Sequence, residues 1–446
     1  MNLLEQVHCM VWGPWTLVLF LGVGIFFTLK CKLFQIKGFP YWWRHTAGRI
    51  LSGDAAVKGE GGKGISQFQS VCTALAATVG TGNIAGVATA LTAGGPGALF
   101  WMWISAVIGM ITAYAETMLG IRYRYKDKNG HYLCGPFIYM ERGLGMKGLG
   151  ILYSFLCLMC SLSMGSMVQA NSAVSTMEYT WHVPELTGGL IFTILLMLVI
   201  CGGISRIGGV AERLVPAASG IYILFSLIIL ISCVEAVPGA FFAMFESAFR
   251  PEAAAGGTAG YAVSRSVRYG ISRGVFSNEA GLGTLAVLHG PAENTTCHEQ
   301  GMWAMFEVFF DTVVLCTLTA LVILCMTGSA SEKIPYEGAA LASWCFGGRL
   351  GMLGEYLVSG SMVVFAFATV MAWFYLGKQA ASYLAEGIGL GVDTGAFFSL
   401  SIRLCFWEPC SLEAKPGLTW FGCCRIYGTV LWPFLILLPF SFYPGR

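Results

Sequence analysis

Long apolar runs, separated by clusters of glycine, proline and charge, fill most of the chain. They fall near residues 11–30, 66–92, 98–122, 150–178, 188–204, 214–234, 262–290, 300–327 and 352–379, with two weaker runs after them. Each strong run approaches or exceeds the roughly 20 residues that carry a helix, at about 1.5 Å per residue, across a hydrocarbon core of about 30 Å. The pattern predicts an all-α polytopic membrane protein with about 10–11 transmembrane helices.

Two of these runs contain interruptions that an ordinary membrane helix avoids. The 66–92 run holds Gly80, Thr81, Gly82 and Asn83 in its middle, and the 262–290 run holds Ser277, Asn278, Glu279, Gly281 and Gly283. Glycine weakens helical backbone, and amides or carbonyls freed at bilayer depth need partners in protein, water or a ligand. With the N-terminal run set aside, the interrupted runs are the first and sixth of a ten-helix series, the spacing of a five-plus-five inverted repeat. Half-helix ends at such breaks can hold a carboxylate on their amides and a cation on their carbonyls. Small-residue packing competes at the first break, since Gly82 and Gly86 form a GxxxG. A nucleotide loop fits worse, because GTGNIAG lacks the Lys-Ser/Thr of a P-loop.

Charge adds an orientation. With the N-terminus outside, the first inside loop carries Lys30, Lys32, Lys37, Arg44, Arg49, Lys58 and Lys63, and the next has Arg122, Arg124, Lys126, Lys128, Arg142 and Lys147. The loops at Ala93–Gly97 and Tyr179–Thr187 contain no Lys or Arg, as the positive-inside rule requires of outside loops. No basic region precedes the first apolar stretch and no small-residue cleavage site follows it, so residues 11–29 are expected to stay as a span. The composition agrees: of 446 residues, 56% are hydrophobic and 11% charged, against roughly 25% charged in a soluble domain. A net charge of +2 gives no reason to expect a nucleic-acid partner. The sixteen cysteines mostly stand singly in apolar runs, and the Cys157–Cys160 CxxC lies in a continuous helical stretch, without the turn or histidines of a metal site.

Ionisable residues inside spans are costly and mark either function or a structural bond. Glu279, Glu116 and Asp311 are such residues, each open to an ion or proton path and to an interhelix hydrogen bond. Gln169 and Asn171 offer neutral amides that can bond a zwitterion or glue helices. Trp373 fits the cap of a small cavity, lipid contact or core. No zinc-protease helix, nucleophile elbow or cofactor fingerprint appears, so an enzyme is not expected.

Four strings in order, QFQSVCTALAATVGTGNIAGVATALTAGGPGALFWMWISAVIGM, CGGISRIGGVAERLVP, SRGVFSNEAGLG and FFDTVVLCT, resemble the alanine/glycine:cation symporter family over roughly residues 10–380. The resemblance implies a LeuT-type five-plus-five inverted repeat with an additional N-terminal helix (11–30). The first repeat then occupies 66–234 and the second begins at 262–384, within a transporter core of 1–384. It further implies sodium-driven uptake of alanine or glycine across the plasma (inner) membrane, with sodium as the co-transported ion and no cofactor. By motif, Thr78, Gly80, Thr81, Gly82 and Asn83 correspond to the first unwound segment, and Phe276, Ser277 and Asn278 to the second. Asn171 and Trp373 would complete the substrate pocket. The backbone oxygens of Ala76 and Val79 would meet the hydroxyl of Thr369 at a sodium site, oxygen donors suiting a hard ion.

The chain departs from the family pattern in several places. Cys134 opens CGPFIYM where a glycine is usual, Ala368 stands beside Thr369 where a second hydroxyl is usual, and Lys378 replaces an acid. Beyond about Leu384 the pattern is not legible, and 385–446 reads as either a divergent or a degenerate membrane tail. Two rivals to the sodium symporter stay open: proton coupling through Glu279 or Glu116, and an ion channel or receptor built on a helical bundle.

Overall fold

A computed structural model describes residues 14–52, 64–127, 130–249, 258–328 and 336–388. The expected tail at 385–446 lies almost wholly outside the described residues. Helix α1 (Pro14–Lys30) is followed by three short helices, α2 (Phe34–Lys37), α3 (Phe39–His45) and α4 (Ala47–Ser52). The first interrupted run is α5 (Gln67–Thr78), a wide turn at Gly82–Gly86 and α6 (Val87–Gly94). Its halves are bent by 50°. A capping box between Ser66 and Gln69 starts α5, each residue satisfying an amide that the first helical turn leaves without a partner.

Helix α7 (Gly97–Tyr123) returns to a two-stranded hairpin, Tyr125–Lys126 with Tyr132–Leu133, and a short helix α8 (Pro136–Leu144). Then come α9 (Lys147–Leu162) and α10 (Val168–Trp181), one span through a wide turn at Ser163–Met167, and α11 (Glu185–Ile200) and α12 (Gly203–Ser232). The 214–234 span thus begins eleven residues earlier than its hydropathy suggested, because α12 continues through SRIGGVAER, a polar stretch whose residues Ile207, Gly208 and Ala211 are buried.

Helix α13 (Val237–Phe249) precedes the second interrupted span, α14 (Thr258–Asn278) and α15 (Thr284–Leu288). Helices α16 (Cys297–Val308) and α17 (Thr317–Thr327) form one span through a wide turn at Phe309–Cys316, and α18 (Gly338–Leu350) and α19 (Met352–Ile388) complete the described elements. Both α14 and α16 pack along α7, while α19 packs along α9 and α10. The backbone of α14 comes close to α7 at Gly270 and Gly274, four residues apart: a methyl at either would strike Ala98 or Ser105. Small-residue packing is thus present at α14, whereas Gly86 has open space around it. The Gly82–Gly86 pair is not a helix-crossing motif.

Candidate substrate and cation site

Both breaks form where expected, with shifted edges. The first is confined to Val79–Gly80, and Asn83 already belongs to the wide turn of the outer half. The second runs from Glu279 to Gly283, so Ser277 and Asn278 are the last helical residues of α14 and not part of the unwound stretch. Glu279, Gly281 and Gly283 all have positive φ, of 54°, 84° and 79°. Glycine takes this conformation freely and glutamate at a cost. Positive φ at three of five positions explains why the helix cannot continue.

The helical ends beside the two breaks meet. Gly82 lies against Phe276 and Ser277, a methyl on it coming within 3.5 Å of the Phe276 ring. Gly80 points at α19, where a methyl would be 2.9 Å from Thr369 Oγ1 and 4.0 Å from Gln169 Oε1. Gly80 N–H donates to Asn83 Oδ1 at 3.0 Å, and so is withdrawn from the Ala76 carbonyl it would bond in a continuous helix. Thr369 donates its hydroxyl proton to Phe365 O at 2.9 Å, which leaves its oxygen lone pairs available on the side of Gly80. Thr369, Ala76 and Val79 are all buried.

The other polar residues group around acids. Asp311 Oδ1 accepts from Asn83 Nδ2 at 2.6 Å, while its Oδ2 accepts from Ser277 at 2.8 Å and Thr312 at 3.0 Å. Asn278 donates to Thr312 at 3.1 Å and accepts from Ala280 N–H at 3.1 Å, closing the end of α14. Glu116 accepts the Gly283 N–H at 3.1 Å, so it serves the unwound backbone of the second break. Gln169 accepts from the Thr81 hydroxyl at 3.2 Å. Trp373 is buried directly against Gly165, at the wide turn between α9 and α10, and its Nε1 has no hydrogen-bond partner among the described residues.

Asn171 does not join them. It is exposed, while Gln169, Ala170 and Ala173 are the buried residues of α10. Two positions beyond Gln169 is about 200° around a helix, so one face cannot present both side chains to the same site. Conversely, Glu307 and His289 escaped the sequence reading although both are fully buried. Glu307 precedes Asp311 by one helical turn in the same apolar run, and the same rule that singled out Asp311 applies to it.

Residues 1–398 match the model of the sodium:alanine symporter family. The chain belongs to that family. It is 37% identical to the sodium/alanine symporter AgcS of Methanococcus maripaludis, over 98% of this chain and 93% of that protein. It is 38% identical to an uncharacterized transporter of Haemophilus influenzae, over 90% and 88%. A probable sodium/glutamine symporter, GlnT of Bacillus subtilis, is 34% identical over 84% and 76%. The AgcS alignment necessarily passes beyond residue 384, so similarity extends further toward the C-terminus than the motifs alone revealed. Among solved structures, MhsT in complex with L-phenylalanine superposes with a TM-score of 0.54 at 14% identity, over 84% of this chain and 88% of that one. An Eremococcus coleocola manganese transporter follows at 0.52 and 12%, over 84% and 77%. At such identities the likeness concerns the fold, which is the LeuT type. This family member is therefore a multi-pass membrane transporter and not an enzyme.

Proposed function

We propose that the protein is a sodium-coupled importer of a small neutral amino acid, alanine or glycine, in the plasma (inner) membrane. The observation that carries this reading is the corner at Gly80. There Gly80 N–H turns from Ala76 O to Asn83 Oδ1 and the Thr369 hydroxyl and Gln169 amide oxygen stand opposite Gly80, while the nearby Gly82 lies against Phe276 and Ser277 at the end of α14. Sodium takes the carbonyls of Ala76 and Val79 and the Thr369 hydroxyl. The substrate carboxylate takes the amide end of the outer half-helix that begins at Gly82, and the ammonium takes the carbonyl end of α14 near Phe276 and Ser277. Thr78, Thr81, Asn83, Asn278 and Gln169 shape the walls. Phe276 and Trp373 limit the space beside the side chain, and Trp373 Nε1 is a spare donor for the bound molecule.

Neutral side chains at the Gly80 corner suit a zwitterion, whose charges cancel. With one net charge moved inward per cycle, a potential of ~100 mV supplies roughly 2.3 kcal/mol, about fortyfold accumulation. The direct test is uptake of labelled alanine and glycine into proteoliposomes under an inward sodium gradient. Saturable uptake that disappears when choline replaces sodium is the expected result. Ion flux without saturable substrate uptake would instead establish a channel.

A further inference from the structure

Glu307 and His289 are each 0% exposed, and His289 Nε2 stands 3.0 Å from Glu307 Oε2. Gln300 Nε2, which can only donate, is 2.6 Å from His289 Nδ1, and Thr295 donates to Gln300 Oε1 at 3.1 Å. With Gln300 in this orientation Nδ1 accepts, the ring proton sits on Nε2, and His289 is a neutral donor to Glu307. The other carboxylate oxygen, Oε1, meets the Thr78 hydroxyl at 3.2 Å. That hydroxyl has further acceptors in its own helix, the carbonyls of Ala74 at 3.4 Å and Leu75 at 3.5 Å.

This arrangement satisfies Glu307 in two protonation states without moving a heavy atom. Ionised, the carboxylate accepts from His289 Nε2–H and from the Thr78 hydroxyl. Protonated on Oε1, it donates to Thr78 Oγ1, whose own proton turns to the Ala74 or Leu75 carbonyl, while Oε2 still accepts from His289. No Lys or Arg bonds Glu307 among the described residues. The titratable groups facing it are Asp311 one turn along, Glu279 and His289 from the second broken span, Glu116 from α7, and Cys72 from α5. All but His289 are acids or thiols, so nothing compensates a fixed negative charge there.

We propose that Glu307 is a proton-binding site of the transport cycle, protonated while the inner halves of the two broken helices are together and deprotonated when they part. Thr78 ends the inner half of the first broken span and His289 follows the inner half of the second. Separation of these halves toward the cytoplasm removes one hydrogen-bond partner from Glu307 and admits water, which favours the carboxylate. The proton leaves Oε1 for that water and is regained when the halves close. This rests on the transport reading above.

The test measures substrate uptake into proteoliposomes at fixed external pH while the internal pH is stepped between 8 and 6. For one proton, the wild-type rate is expected to fall with internal acidity, by at most about tenfold per pH unit. Glu307→Gln is expected to transport with a flat profile, and Thr78→Val to shift the midpoint of the profile. A profile unchanged in E307Q, or one lost in H289Q while E307Q retains it, overturns the assignment. Where E307Q fails to accumulate, Glu307→Asp and T78V decide: unaltered midpoints in both overturn it. Absence of sodium-dependent uptake in the wild-type protein would instead strike the transport reading.

Discussion

Asn83 Nδ2 lies 2.6 Å from Asp311 Oδ1, and Asn83 Oδ1 on the same side chain receives the Gly80 N–H, so one amide spans the first break and anchors it to the 309–316 turn. A hydrogen bond to a charged group contributes about 1.5–3 kcal/mol. Asp311→Asn removes the charge from three such bonds, and uptake is expected to fall at least about tenfold. Asn83→Ala should cost as much or more, because it also orphans Gly80 N–H. Initial rates in proteoliposomes, normalised to the amount of folded protein, check both.

Gly80 and Gly86 make an internal comparison. An alanine at 80 would bring Cβ to 2.9 Å from Thr369 Oγ1, whereas one at 86 meets nothing within 4 Å. Gly80→Ala is expected to abolish sodium-stimulated uptake, since the clash lies against the proposed ion ligand. Gly86→Ala, in helical backbone, should leave uptake intact and raise stability by up to about 1 kcal/mol. Uptake and thermal unfolding in detergent distinguish the two.

No hydroxyl flanks Thr369, the proposed sodium ligand, in sequence, for Ala368 and Val370 stand beside it. Thr369→Ala is therefore expected to raise the half-saturating sodium concentration at least about tenfold, the equivalent of 1.4 kcal/mol. Thr369→Ser should restore most of it. A sodium titration of uptake showing no change in T369A would remove this residue from the cation site.

Gln169 and Asn171 separate by orientation. Gln169→Ala should weaken apparent substrate affinity several-fold by releasing Thr81, and Asn171→Ala should leave it unchanged. Competition assays with unlabelled alanine measure both.

Trp373 packs on Gly165 so closely that any side chain there would displace the ring. Gly165→Ala is expected to impair transport severely, and Trp373→Ala to admit larger neutral amino acids. Inhibition of alanine uptake by leucine, weak in the wild type and strong in W373A, is the expected signature.

The fold was largely legible because membrane spans announce themselves by length and apolarity, and the glycines at 80, 82, 281 and 283 mark where helices fail. The edges of the breaks were not legible. Whether Asn278 ends a helix or lies beyond it depends on its side chain accepting the Ala280 amide, a tertiary detail invisible in spacing. The exposure of Asn171 was not legible for a related reason. The wide turn at Ser163–Met167 and the docking of α10 on α19 select which face of the helix is enclosed, and two amides so near in sequence look equivalent until that face is known. Short pieces such as α3 and α18 went unseen because neither is long enough to register as a span.

Ile65 pairs with Ala292 through main-chain bonds, Ile65 N to Pro291 O at 3.1 Å and Glu293 N to Ile65 O at 2.9 Å. Such a seam is made of main-chain atoms, so among single substitutions only proline at Ile65 or Glu293, which lacks the N–H, deletes one of its bonds. At about 1 kcal/mol net per bond it is also weak enough for thermal motion to unzip. Its natural tuning knobs are the neighbours that brace it, Arg124 on the Gly290 and Ala292 carbonyls and Gln67 on Asn294 O. Variation there would tune the strength of this seam between the ends of the two broken spans without touching the residues beside Gly80.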